Sequence, residues 1–201
     1  MALITSVTLP VALLLGVCAV LLVTASVLGT MAYLTSTDAV TNTFTVGNVT
    51  ITLDEAKVNP NGTPVAGAAR VKENAYKLMP GSTYTKDPTV HVAAGSEDCY
   101  VFVKVENGIA NLEATGNTTI AKQMETQGWS LVTGETNIYA YKNTVAAGTD
   151  VKVFESFKIA DDANTKTEWN SITNAQVKIT AYAIQKDGFA NAKAAWDAGN
   201  F

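Results

Sequence analysis

The chain has 201 residues, 47% of them hydrophobic and 16% charged, with a formal net charge of −4 at pH 7. That balance is too apolar for a disordered tail and leaves no basic footprint for nucleic acid. The charge is also unevenly spread, since no Asp, Glu, Lys or Arg precedes Asp38. The sequence therefore divides into an uncharged apolar leader and a mildly acidic body.

Residues 11–28 of the leader read VALLLGVCAVLLVTASVL, with Thr24 and Ser26 as the only hydroxyl residues. About 20 apolar helical residues span the hydrocarbon core of a bilayer. The run suits either a secretory signal or a membrane anchor. Small residues at Thr30 and Ala32 occupy the −3 and −1 positions of a cleavage site, so the signal reading leads: residues 1–32 are removed and the mature chain starts at Tyr33. No basic residue precedes the apolar run, so the α-amino group, or residues upstream of Met1, would supply the orienting charge. Cys18 within the run reads as a small hydrophobe, which leaves the body with Cys99 alone and no internal disulfide.

Residues 33–201 read as one β-rich domain. Val, Ile, Thr, Tyr and Phe segments recur at short intervals between turn residues, a spacing typical of an antiparallel sandwich. The first two strands are residues 41–46 (TNTFTV) and 49–53 (VTITL), joined by Gly47-Asn48 as a hairpin turn. Residues 57–72 carry Pro60, Gly62, Pro64 and Gly67 and form a surface excursion. Met79-Pro80-Gly81-Ser82 is a turn, followed through Lys86-Asp87-Pro88 by a strand at 89–92. After a turn at 95–98, residues 99–106 (CYVFVKVE) form a strand buried on both faces. Residues 117–127 form a short amphipathic helix closed by Gly128. Strands at 129–132, 138–141, 149–159 and 176–185 follow. A closing helix is capped by Asn191, presents Ala192, Ala195 and Trp196 on one face, and ends at Gly199.

The chemistry the sequence excludes is as informative as what it contains. His91 is the single histidine, so a zinc protease of the His-Glu-x-x-His type is ruled out by counting. No Gly-rich phosphate loop and no Gly-x-Ser-x-Gly elbow occurs. His91 and Cys99 lie on strands that one short turn would bring together, so a Cys/His nucleophile is weighed against a packed cysteine beside a half-exposed histidine, and the second reading is preferred. Asp161-Asp162-Ala163-Asn164 lacks the closing Glu and regular ligand spacing of a calcium loop and reads as a solvated turn.

Residues 29–54, GTMAYLTSTDAVTNTFTVGNVTITLD, resemble the start of the TasA and camelysin family of Gram-positive bacteria. The shared features are a Gly-Thr-x-Ala-Tyr-Leu-Thr segment and the hairpin Asn42-Thr-Phe44-Thr-Val-Gly47-Asn-Val49. The likeness resumes at Met79-Pro80-Gly81, at Lys86-Asp87-Pro88, at 96–105, and at 181–185 with Gly188-Phe189 and Ala195-Trp196. The resemblance implies a jelly-roll-like β-sandwich with two short peripheral helices behind a hydrophobic signal helix. It also implies export through a signal peptidase of the SipW type, and a structural role in fibres of the extracellular biofilm matrix. In such fibres the freed N-terminal segment of one subunit completes a sheet of its neighbour. Tyr33, Leu34, Val40, Phe44 and Val46 would serve here as the donor strand of a head-to-tail homopolymer, with no cofactor, no nucleic acid and membrane contact through the leader only. The metalloendopeptidase label attached to camelysin is not carried over, because the chain lacks the motif. The alternative is a membrane-anchored surface module whose leader is never cut.

Overall fold

A computed structural model of the chain describes residues 13–22 and 48–199. It divides at residue 45 into two compact units. Of the first, the described part is a helix, α1 (residues 13–22), whose residues are all exposed. Among the described residues no helix is long and apolar enough to cross a membrane. The predicted strand at 41–46 and the Gly47 side of its hairpin lie outside the described residues.

The second unit is mainly β. Its described strands are β1 (Ile51–Asp54), β2 (Thr83–Thr85), β3 (Thr89–Val92), β4 (Cys99–Asn107), β5 (Trp129–Leu131), β6 (Ile138–Tyr141), β7 (Asp150–Lys152), β8 (Ser156–Lys158) and β9 (Val177–Gln185). They form three antiparallel sheets in the orders β1-β3-β7, β2-β8 and β5-β6-β4-β9. Two helices join them, α2 (Ile120–Gln127) between β4 and β5 and α3 (Ala192–Ala198) after β9.

Strand β4 organises the packing through its period-two alternation. Cys99, Val101, Val103 and Val105 face a core that also gathers Val90, Val151, Tyr84, Phe157 and Trp129, and so draws on all three sheets. Phe102 points the other way into a second cluster with Val132, Ile138, Ala140 and Ala195, which α3 covers through Ala195 and Trp196. Burial on both faces, expected from the apolar start of the strand, holds at Phe102, whereas Lys104 is half-buried and Glu106 exposed further along the same face. The β4/β9 ladder runs from Cys99↔Gln185 to Asn107↔Val177 without interruption.

The closing Gly128 and the Asn191 cap are as anticipated, while α2 starts at Ile120 behind a Thr119 cap, three residues later than expected. Thr119 Oγ1 accepts from the Lys122 N–H, and Gly128 closes α2 in the left-handed region at φ 95°. Asn191 Oδ1 accepts from the Ala194 N–H at 2.9 Å. Gly199, expected as a left-handed closing residue, is instead extended at φ −72°, although its N–H still reaches the Ala195 and Trp196 carbonyls.

Two segments differ from the sequence reading. The single strand expected over 149–159 is two short strands in two sheets: Val151 pairs with Val90, Phe157 pairs with Tyr84, and the buried Val153 and Phe154 lie between. An unbroken apolar run is compatible with one strand or with a crossing between neighbours, and here the chain crosses. β2 itself was not anticipated, because its three residues sit between a turn and Lys86-Asp87-Pro88. The excursion at 57–72 forms no strand, only the isolated bridges Glu55↔Val71 and Val58↔Pro64, and it is fastened by Arg70 and at Gly62. Gly62 has φ 83°, and a Cβ there would stand 2.6 Å from the Tyr84 Cα, so only glycine fits.

Candidate functional site

A groove of about 990 Å³ opens within the second unit. One border is the end of β1 with Leu53 and Asp54, continued by Glu55, and another is residues 177–181 of β9. Tyr76, Leu78, Phe157 and Trp169 line it, together with Ile179. β9 is the terminal strand of its sheet, with β4 as its one strand partner among the described residues. Along β9 every residue from Ile179 to Ile184 is partly exposed, a burial pattern of a strand packed on one side only.

The aromatic wall has a defined geometry. Tyr84 and Phe157 stack at 5.0 Å between centroids, and Tyr76 meets both edge-on, at 5.9 and 5.3 Å. The Tyr76 hydroxyl donates to the Thr85 carbonyl at 3.0 Å. Burial, and then the negative charges of Glu55 and Asp87, push the Tyr76 phenol well above its ordinary range.

Polar groups hold the β1 side. Glu55 is buried and joins Lys86 Nζ at 2.5 Å through Oε2. Its Oε1 accepts from Asn74 Nδ2 at 2.9 Å, and the same amide donates to the Ala56 carbonyl at 2.8 Å. The Val58 N–H donates to Asn74 Oδ1 at 2.9 Å, so the whole side-chain amide is fixed.

His91 sits on β3, the strand next to β1 in the same sheet, between two carboxylates, with Nδ1 2.7 Å from Asp150 Oδ1 and Nε2 2.9 Å from Asp54 Oδ1. Carboxylates only accept, so the doubly protonated ring is the form that satisfies both contacts. Burial alone would lower the imidazole pKa, but the hydrogen bonds and charges of Asp54 and Asp150 outweigh it and raise it above 6.5. Burial likewise pushes Asp54 up, yet Arg70 and His91 overcome it and hold that carboxyl below its ordinary value. Arg70 adds a second ion pair, to Asp87 at 3.0 Å.

His91 and Cys99 have separate partners. Cys99 is fully buried, its Sγ lies 3.7 Å from the Val145 carbonyl oxygen, and burial with the nearby Asp98 pushes the thiol up to about 11. A thiol so far from ionisation is a poor nucleophile. Among the described residues no group of three or more His, Cys, Asp and Glu is arranged to hold a metal ion. Asp161 and Asp162 are exposed, as a solvated turn requires.

The residues singled out from the sequence, Thr30, Ala32 and Tyr33 for cleavage and Tyr33, Leu34, Val40, Phe44 and Val46 for assembly, lie outside the described residues. The groove went unnoticed in the sequence because its lining comes from separate stretches around 53, 76, 157, 169 and 179. The one local trace is the alternation Asn74-Ala-Tyr76-Lys-Leu78 between the excursion and the turn. No family model, no curated protein and no solved structure matches the chain.

Proposed function

We infer that this chain is an exported structural subunit of extracellular matrix fibres, built on a jelly-roll-like sandwich of the kind its resemblance to the TasA and camelysin family implies. The observation that carries the reading is the groove beside the outer edge of β9, an edge with no strand partner among the described residues. Such an edge presents unpaired N–H and C=O groups that an added strand can satisfy, while pockets beside it take alternate side chains. The occupant is residues 33–46 of a second copy, freed by cleavage after Ala32. That segment is rich in Thr and Val, has no Gly or Pro, and carries Phe44 as its largest apolar anchor. Burying one such ring contributes about 1.5–3 kcal/mol. A terminus given to the next subunit makes a heterologous contact, and repeated heterologous contacts propagate as filaments. The reading assigns the protein no catalytic step, and self-association and the processing peptidase are its partners.

Deletion of residues 33–41 tests it directly. Electron microscopy of secreted protein should show filaments for the wild type and soluble monomers for the deletion. Filaments of unchanged subunit spacing in the deleted protein would overturn the donor role. Mass spectrometry of the secreted N-terminus should find Tyr33 first, and a retained apolar leader would favour the anchored module.

A further inference from the structure

We propose that Lys86 and Asn74 become joined by an intramolecular isopeptide bond, with Glu55 as the catalytic proton carrier. The three side chains form a closed set: Lys86 Nζ and Asn74 Nδ2 meet the two oxygens of one carboxylate, at 2.5 and 2.9 Å. The Lys86 and Glu55 side chains are 11% and 5% exposed, and Asn74 stands half-buried beside them in the lining of the groove. Tyr76 flanks the set as part of the aromatic wall. Such a setting favours amide formation because the reacting groups are held together before the reaction starts.

Each contact has a task in that chemistry. Glu55 Oε2 takes a proton from the Lys86 ammonium, which frees the Nζ lone pair. Nζ attacks Asn74 Cγ, and the negative charge that develops on Oδ1 is met by the Val58 N–H already bonded there at 2.9 Å. Glu55, now protonated, stands at Nδ2 through Oε1 and delivers the proton to the departing nitrogen. The Cγ–Nδ2 bond breaks, the Nζ–Cγ bond remains, and ammonia leaves with the excess proton as ammonium. Glu55 returns to its carboxylate form. No oxidant, metal or cofactor enters the balance.

A simple buried ion pair would also use Lys86 and Glu55, but it has no need for the asparagine amide. Here Asn74 spends both N–H donors and its carbonyl on fixed partners, which orients its carbon and its leaving group at once. The bond would tie the segment before β2 to the segment after it and so brace one wall of the groove. It does not depend on the fibre reading.

The test is tryptic mass mapping of the full-length chain, freshly purified and after prolonged storage. The expected result is one cross-linked species in which residues 73–77 are attached to residues 78–104, with cleavage at Lys86 blocked and the mass lower by one ammonia. The variants Glu55→Gln and Asn74→Ala should instead release residues 73–77 and 78–86 as free peptides. Complete cleavage at Lys86 with a free 73–77 peptide in the wild type, before and after storage, would overturn the proposal. Persistence of the cross-link in Glu55→Gln would overturn the proton-carrier role. The wild-type digest decides the main question even where a variant fails to fold.

Discussion

Strands β4 and β9 are each nine residues long, pair along their entire length and share a period-two pattern of apolar residues. Their surroundings are nevertheless opposite. β4 has β6 on its other side, α3 over one face and the main core under the other, and five of its nine residues are buried. β9 has no fully buried residue, and its outer edge borders the groove. Composition alone does not separate a central strand from an edge strand, because the difference lies in what packs beside them.

The sharpest way to break that contrast is Phe102→Ala. The ring is 0% exposed and packs 5.2 Å from the Trp196 ring, so its removal leaves a cavity that the sheet and α3 hold open. The expected loss is about 3–5 kcal/mol. Urea denaturation followed by fluorescence should show it, and a loss below about 1 kcal/mol would mean that α3 collapses into the space.

On the edge strand, Ile179→Lys should cost far less, about 1 kcal/mol, because the side chain is only partly buried and a lysine stem can lie along the groove. Its main effect should be on assembly, as a charge placed on a free strand edge opposes strand addition. If the fibre reading holds, sedimentation velocity should find polymers for the wild type and monomers for this variant. Unaltered polymerisation would move the contact away from β9.

The smallest effect concerns β1, the other border of the groove, which β3 holds partly through the His91 contacts. A group whose pKa is raised on folding stabilises the protein fully below its unfolded value, near 6.5, and loses that contribution as pH climbs through the raised value. Wild-type stability should therefore decline as pH rises from about 6.5, by less than about 1 kcal/mol for so exposed a cluster. His91→Gln should flatten that slope, and an unchanged slope would assign it to other groups. Asp54 works in the opposite direction, stabilising above its unfolded value and losing that contribution only in acid.

What could be read from the sequence follows the same contrast. The residues CYVFVKVE of β4, the run IYAY of β6, the closing Gly128 and the Asn191 cap carry local signals strong enough to locate them, because each depends on its own pattern or on one terminal residue. The crossing at Val153 and Phe154 left no such mark: both residues are buried, and which neighbour the chain joins next is decided by strands more than fifty residues away in sequence. The groove and the Glu55, Asn74 and Lys86 set were illegible for the same reason, since their chemistry exists only once distant stretches meet. The assembly segment was read from resemblance, and its role rests on the proposed experiments.

The long ladder between β4 and β9 also governs timing. Residues 99–107 must wait for residues 177–185 before their hydrogen bonds can close. A chain emerging from a ribosome or a translocation pore would hold β4, apolar on both faces, without its partner until nearly the whole sequence had appeared. Distant pairing of this kind slows folding and leaves an interval in which the exposed strand can stick to others. The architecture thus delays folding until β9 arrives, and it makes loss of residues 177–185 far more damaging than their partial burial suggests.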